Sequence, residues 1–319
     1  MIVNILFILL GFVLLIKGAD FLVDGSSDIA KKLKVSEMII GLTIVSIGTS
    51  MPELFVNITS SLQGSYDITI GNIVGSNLCN LLLILGISTI ITPLTFEKET
   101  KLIEIPICLA VTVLFGIFCN TSNGISRIEA IILLCLFILF ITYTIIMAKK
   151  GKEFNKDENG NFKINEIAKN STLKNIIIIL LGIAGLKFGG DLVVNNSKEI
   201  ATVLGLSEKF IGLTILAVGT SLPELVTSVT AAIKHNSDIA IGNIIGSNIF
   251  NILFIIGTSS IISPISYNKT YNVQFIILIF STALLAILPF CQKKNQMSRI
   301  DGIIFTLIYI AYIALLFII

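Results

Sequence analysis

The chain alternates long apolar runs with short polar breaks. Runs near 2–23, 38–62, 69–92, 102–119, 127–147, 173–194, 209–233, 240–262, 272–290 and 300–319 are each close to or above the roughly 20 apolar residues that a helix needs to cross a bilayer. The pattern predicts ten transmembrane helices with no room for a sizeable water-soluble domain. Met1 to Ile16 has neither a basic leader nor a small-residue cleavage site, so it reads as the first membrane helix rather than a signal peptide.

Sliding the chain over itself by 171 residues lays Gly11 on Gly182, Asp20 on Asp191, Glu53 on Glu224 and Pro93 on Pro264 without a gap. Ser36 to Glu53 (SEMIIGLTIVSIGTSMPE) matches Ser207 to Glu224 (SEKFIGLTILAVGTSLPE), and Asp67 to Asn80 (DITIGNIVGSNLCN) matches Asp238 to Asn251 (DIAIGNIIGSNIFN). With the offset changed by one, SRIEAIILL at Ser126 matches SRIDGIIFT at Ser298. The chain therefore reads as two five-helix units, 1–147 and 173–319, joined by a linker, 148–172. Five crossings per unit oblige the second copy to enter the membrane from the other side, as in many secondary transporters. The expected fold class is an all-α integral membrane protein with ten transmembrane helices in two inverted-topology repeats.

Composition narrows the function. Charged residues make up 13% of the chain against roughly 25% in soluble domains, and the mean hydropathy is +0.95. The 22 basic and 20 acidic residues leave a net charge of +2, too balanced for a nucleic-acid partner. Cys79, Cys108, Cys119, Cys135 and Cys291 all lie in apolar segments, so they read as packing residues, not as a disulfide framework. Lys and Arg crowd alternate connections: Lys31, Lys32, Lys34, Lys98, Lys101, the cluster from Lys149 to Lys174, Lys234, Lys293, Lys294 and Arg299 on one side, against Arg127, Lys198, Lys209 and Lys269 on the other. The first side is expected to be cytoplasmic, which puts both termini outside and the linker inside at the plasma membrane.

The second helix of each unit carries the chemistry. GTSMPE (Gly48 to Glu53) and GTSLPE (Gly219 to Glu224) place a proline and a carboxylate at membrane depth. Pro52 and Pro223 lack the N–H that would bond the carbonyls of Gly48 and Gly219, so those carbonyls are freed and must line a cavity or face protein. An ionised Glu there costs at least about 2.5 kcal/mol and marks an ion or proton pathway. With the hydroxyls of Thr49, Ser50, Thr220 and Ser221, the set is hard and all-oxygen, as Ca²⁺ and Na⁺ prefer. The third helices add Gly71, Gly75, Ser76, Asn77 and Asn80, mirrored by Gly242, Gly246, Ser247, Asn248 and Asn251. The glycines permit close helix approach, whereas the symmetric placement of Asn80 and Asn251 with the two Glu residues points to a cation-facing role.

These paired motifs resemble the two alpha-repeats of the calcium/cation antiporter superfamily, with the sodium/calcium exchangers as the nearest branch. The resemblance covers the whole chain. It implies a secondary active antiporter, not an enzyme, in which Glu53 and Glu224 ligate Ca²⁺ and share sodium sites. It also implies ligand roles for Thr49, Ser50, Thr220 and Ser221, for Ser76 and Ser247, for Asn80 and Asn251, and for backbone carbonyls near Ser46 and Ala217. Several relatives have Asp where Asn251 stands, so this site has two obvious carboxylates rather than three. Ca²⁺ and Na⁺ are expected as cargo, the lipid bilayer as surroundings, and neither a cofactor nor a protein partner. Exchange of Ca²⁺ for H⁺ remains open at this point, as does a cation channel, although channels usually surround a pore with symmetric subunits.

Other signals point elsewhere. Asn155 to Glu166 (NKDENGNFKINE) echoes a calcium loop, but Asn155 stands at the first ligand position, Lys163 occupies another, and no helix pair flanks it as an EF-hand requires. It reads as a solvated loop. Ser36 and Ser207 read as helix N-caps, and the single His235 as a loop residue.

Overall fold

The computed structural model describes residues 2–121, 124–154, 171–204, 217–291 and 295–316. Its long helices are α1 (Ile2–Leu33), α4 (Tyr66–Ile91), α5 (Thr100–Thr121), α6 (Arg127–Phe154), α7 (Thr172–Val203), α10 (Ser237–Ile262), α11 (Lys269–Phe290) and α12 (Arg299–Leu316). Between them lie the bent pair α2 (Glu37–Thr49) and α3 (Met51–Leu62), and the shorter α8 (Ala217–Thr220) and α9 (Leu222–Ile233). Among the described residues eight helices are long and apolar enough to cross a membrane, or nine with α2 and α3 as one bent span. The expected helix over 209–233 is described only from Ala217, because 205–216, with Ser207 and Lys209, lie outside the described residues.

Several helices run past the boundaries read from hydropathy. α1 continues ten residues beyond position 23, because a helix can leave the apolar layer and go on in water with Asp24, Asp28, Lys31 and Lys32. α6 runs on to Phe154 and α7 starts at Thr172. The calcium-loop-like segment Asn155 to Glu166 lies outside the described residues.

Glycine decides how the longest helices meet. A Cβ on Gly18 would sit 2.8 Å from the Gly182 carbonyl and 2.8 Å from the Leu186 nitrogen, and one on Gly182 would sit 2.8 Å from the Gly18 carbonyl. Only side-chain-free positions let two backbones approach this closely, and α1 and α7 pack along each other through them. α4 and α10 form the centre: 78% and 94% of their apolar windows are buried, against 22% for α1, α6 and α12. The outer helices show apolar side chains such as Ile131, Ile138, Leu139 and Ile145 to the outside, a surface that suits lipid and not water.

Short links tie the first half of the chain to the second. β1 (Leu94–Thr95) pairs with β4 (Gln296–Met297), and β2 (Gly124–Ile125) with β3 (Ile265–Ser266), both antiparallel. Gly124, at φ +150°, is required there, since a Cβ would meet the Ile265 carbonyl. The matched SRIE and SRID segments are capping boxes. The backbone N–H groups of Ser126 and Ser298 donate to Glu129 and Asp301 at 2.8 and 2.7 Å, while Arg127 and Arg299 donate to the terminal carbonyls of Ile261 and Ile91 at 3.3 and 3.4 Å.

The smaller expectations fare unevenly. Ser36 caps α2 by accepting from Ile39 N. His235 is exposed, with φ +58° in the turn after α9. Cys79, Cys108 and Cys119 are buried free thiols, but Cys135 is exposed on the apolar outside and is not a packing residue. Lys234, just past α9, pairs with Asp20 at 3.0 Å and Asp24 at 2.8 Å. Partial burial opposes its charge, yet Asp24 and Asp20 hold its pKa above the usual lysine value.

Candidate cation-binding site

The two breaks take the form that proline dictates. α2 ends at Thr49 and α3 starts at Met51 with Pro52 in its first turn, where the missing N–H costs nothing. The pair bends by 48°. Ser50 (φ −85°, ψ 10°) and Ser221 (φ −89°, ψ 8°) are the hinge residues. Glu53 and Glu224 then fall in the first turns of α3 and α9, at the positive end of each helix dipole, which favours a carboxylate. Each is 1% exposed.

Hydroxyls cross between the halves to meet these carboxylates. Ser50 Oγ donates to Glu224 Oε1 at 2.7 Å, and Ser221 Oγ to Glu53 Oε1 at 3.4 Å. Ser76 Oγ lies 3.5 Å from the same Glu53 oxygen. Thr49 Oγ1 donates to Asn243 Oδ1 at 3.0 Å, and Thr220 Oγ1 to Asn72 Oδ1 at 3.3 Å. Thr49 Oγ1 also lies 3.3 Å from the Ser46 carbonyl, so its single proton is shared between two acceptors. Asn243 is itself braced by Ser228 Oγ at 2.9 Å, and Asn57 Nδ2 donates to the Glu53 carbonyl at 2.7 Å.

Wide π-helical turns interrupt the central helices at Cys79–Ile84 and Asn251–Ile256, a local unwinding common at functional sites. They carry Asn80 and Asn251, whose Nδ2 groups are held by Asn248 Oδ1 at 3.0 Å and Asn77 Oδ1 at 2.9 Å. Ser46 Oγ is bonded within its own helix to Leu42 O at 2.8 Å, and the Ser46 carbonyl accepts from Ser50 N at 3.0 Å and from Thr49 Oγ1 at 3.3 Å. Ala217 heads α8, just before the second break.

What these bonds leave over defines the chemistry. Glu53 Oε2, Glu224 Oε2, Asn80 Oδ1, Asn251 Oδ1 and Ser247 Oγ are buried without a hydrogen-bond partner among the described residues. Four of the five can only accept when the carboxylates are ionised. Buried orphans of this kind cost about 1–3 kcal/mol each, and a cation is the group that satisfies several acceptors at once. Among the described residues no three His, Cys, Asp or Glu side chains form a metal cluster, so the donor set is two carboxylates with neutral oxygens. Such a set suits Ca²⁺ and Na⁺ better than transition metals.

A cavity of about 800 Å³ opens on the face of β2 and β3, lined by Gly64 to Ile68 and Ser266 to Lys269. Two smaller ones, of about 230 and 340 Å³, open by Glu37 and His235 on the lysine-rich face. None of the three is lined by Glu53 or Glu224.

Asn72 and Asn243 are the partners that reasoning from motif alone passed over. The signal was available, since both follow a glycine at the same place in the two matched segments. For the expected glycine contacts, Gly242 and Gly246 approach α2 tightly, within 2.8 Å of Met38 O and 2.6 Å of Ser46 Oγ for an added Cβ. Gly71 makes only ordinary contact with Tyr271, and Gly75 has no such neighbour among the described residues.

Comparison with known proteins gives one consistent result. The family model described as sodium/calcium exchanger protein matches residues 3–146 and 174–318. A putative antiporter CaxA from Alkalimonas amylolytica is 37% identical, with 99% of each chain covered. The sodium/calcium exchanger MaX1 of Methanosarcina acetivorans is 35% identical, again over 99% of each chain. The solved structure of the sodium-calcium exchanger NCX_Mj soaked with Na⁺ and Ca²⁺ superposes with a TM-score of 0.83 at 33% identity, covering 98% of both chains.

Proposed function

Because the chain belongs to the sodium/calcium exchanger protein family, we propose that it exchanges Ca²⁺ for Na⁺ by alternating access, both ions visiting the oxygen site between the two helix breaks. It is a multi-pass membrane transporter and not an enzyme. The observation that carries the reading is the pair of buried carboxylates, each with an orphaned Oε2, beside the orphaned amide oxygens of Asn80 and Asn251. The ligand set is Glu53, Glu224, Asn80, Asn251, Thr49, Thr220, Ser50, Ser221, Ser76 and Ser247, with the carbonyls near Ser46 and Ala217.

The architecture belongs to the same proposal. The chain spans the membrane ten times, α8 and α9 being the described part of the span expected over 209–233, and the units 1–147 and 173–319 are inverted repeats about the site, joined by 148–172. Bonds such as Thr49 to Asn243 and Thr220 to Asn72, each matched by the other at the repeat offset, support this. A shared site explains coupling, since Ca²⁺ and Na⁺ compete for the same oxygens. Two carboxylates balance one Ca²⁺ or two Na⁺. A third Na⁺ would make the exchange electrogenic, at about 2.3 kcal/mol per charge per 100 mV, and a negative interior would then favour Ca²⁺ extrusion.

Purified protein in liposomes tests the reading. We expect ⁴⁵Ca uptake to follow an imposed sodium gradient, and at the same rate with choline replacing K⁺ on both sides under clamped potential, because Asn251 adds no third carboxylate. Uptake that follows a proton gradient instead would assign Ca²⁺/H⁺ exchange, uptake with no gradient a channel, and a strict K⁺ requirement would overturn the role given to Asn251.

Orientation rests on the lysine count, with both termini outside at the plasma membrane. A cysteine placed at Asn159 should react with membrane-impermeant reagents only from the cytoplasmic side. Labelling in intact cells would invert the topology and the transport direction with it.

A further inference from the structure

Four asparagines at the centre of α4 and α10 form a closed, reciprocal set. Asn77 Nδ2 donates to the backbone carbonyl of Asn248, and Asn248 Nδ2 to the backbone carbonyl of Asn77, both at 3.4 Å. Asn251 Nδ2 donates to Asn77 Oδ1 at 2.9 Å, and Asn80 Nδ2 to Asn248 Oδ1 at 3.0 Å. All four side chains are at most 1% exposed.

The two ends of an amide have the same shape but opposite hydrogen-bonding sense, so something must decide which end of Asn80 and Asn251 faces the site. A backbone carbonyl can only accept. The Asn248 carbonyl therefore fixes Nδ2 of Asn77 toward itself, which turns Asn77 Oδ1 toward Asn251. That oxygen in turn demands Nδ2 from Asn251, and Asn251 Oδ1 is left pointing away, buried and without a partner. The same steps run from the Asn77 carbonyl through Asn248 to Asn80 Oδ1, equally orphaned. We propose that Asn77 and Asn248 are positioning residues that relay polarity from two backbone carbonyls to the ligand amides, so that Asn251 and Asn80 present oxygen and never N–H to the cation. The proposal rests on the ligand reading above and adds to it a cause for the amide orientation. Helical spacing allows the relay, because residues three apart share a face: Asn77 with Asn80, and Asn248 with Asn251.

The pairing is crossed, and this makes it testable. Asn77 governs Asn251, and Asn248 governs Asn80. A carboxylate has oxygen at both ends and needs no polarity fixed, so an Asp at position 251 should make Asn77 dispensable, while an Asp at position 80 should not. The measurement is equilibrium ⁴⁵Ca binding to the purified protein for Asn77→Leu, Asn251→Asp, Asn80→Asp and the doubles Asn77→Leu/Asn251→Asp and Asn77→Leu/Asn80→Asp. Asn77→Leu should weaken Ca²⁺ binding about tenfold or more in the Asn251 background, and by less than about threefold in the Asp background at 251. In the Asp background at 80 the tenfold penalty should persist.

A merely structural role would give the same penalty in all three backgrounds, and that result overturns the proposal. If Asn77→Leu does not give monodisperse protein, Asn77→Ala carries the same cycle with the same criteria. The ligand reading is tested separately by Asn251→Leu and Asn80→Leu. Should these leave Ca²⁺ binding unchanged, the ligand reading falls; should they weaken it while Asn77→Leu does not, only the polarity relay falls.

Discussion

Glu53→Gln and Glu224→Gln are each expected to reduce sodium-driven ⁴⁵Ca flux to background, a loss of at least about 100-fold, or ~2.7 kcal/mol, with the protein still monodisperse. Each carboxylate has one oxygen engaged by a hydroxyl from the other half and one orphaned. Glutamine keeps the volume and can keep the engaged oxygen, but turns the orphan into an N–H₂ donor. A cation then loses half of its compensating charge and meets two N–H groups where an oxygen stood. The folded state loses little, because the orphan contributes no bond to it. Near wild-type flux in either variant would make that Glu structural and remove the site.

A second large effect is expected at the α1–α7 crossing. Gly18→Leu puts a Cβ 2.8 Å from two backbone atoms of α7, the Gly182 carbonyl and the Leu186 nitrogen. No rotamer change relieves a backbone contact, so the cost should exceed the ~1–3 kcal/mol of ordinary overpacking, and monodisperse protein should be lost on mild heating. Gly116→Ala is the control, since its Cβ would come no closer than 3.5 Å to Phe275. Size-exclusion profiles after a temperature series separate the two. Equal survival of both variants would show that the helices do not depend on this approach.

Much of the proposed site can be read in the sequence. Glu53 and Glu224 stood out because an acid and a proline in an apolar run are each costly, and cost at matched positions implies use. Thr49, Ser50 and their counterparts followed as neighbours in the same six-residue motifs. Asn72, Asn243, Asn77 and Asn248 were visible in the matched segments, but nothing in one dimension said which atoms they hold. Hydropathy failed at helix ends, in α1 and α6, because it registers where the apolar layer stops, whereas a helix stops where its backbone bonding stops.

Local chemistry acts through residues adjacent in the chain, so the sequence by itself determined the apolar spans, the duplicated motif pair, the two proline breaks and the identity of the two buried acids. Tertiary structure alone decided what crosses between the halves: that Ser50 reaches Glu224, that Thr49 reaches Asn243, and that α1 lies on α7 through glycine. It also decided which lone pairs are spent and which are left. Hydrogen-bond direction depends on which groups face one another across 2.7 to 3.5 Å, and residues more than a hundred positions apart meet at that range only when the helices pack.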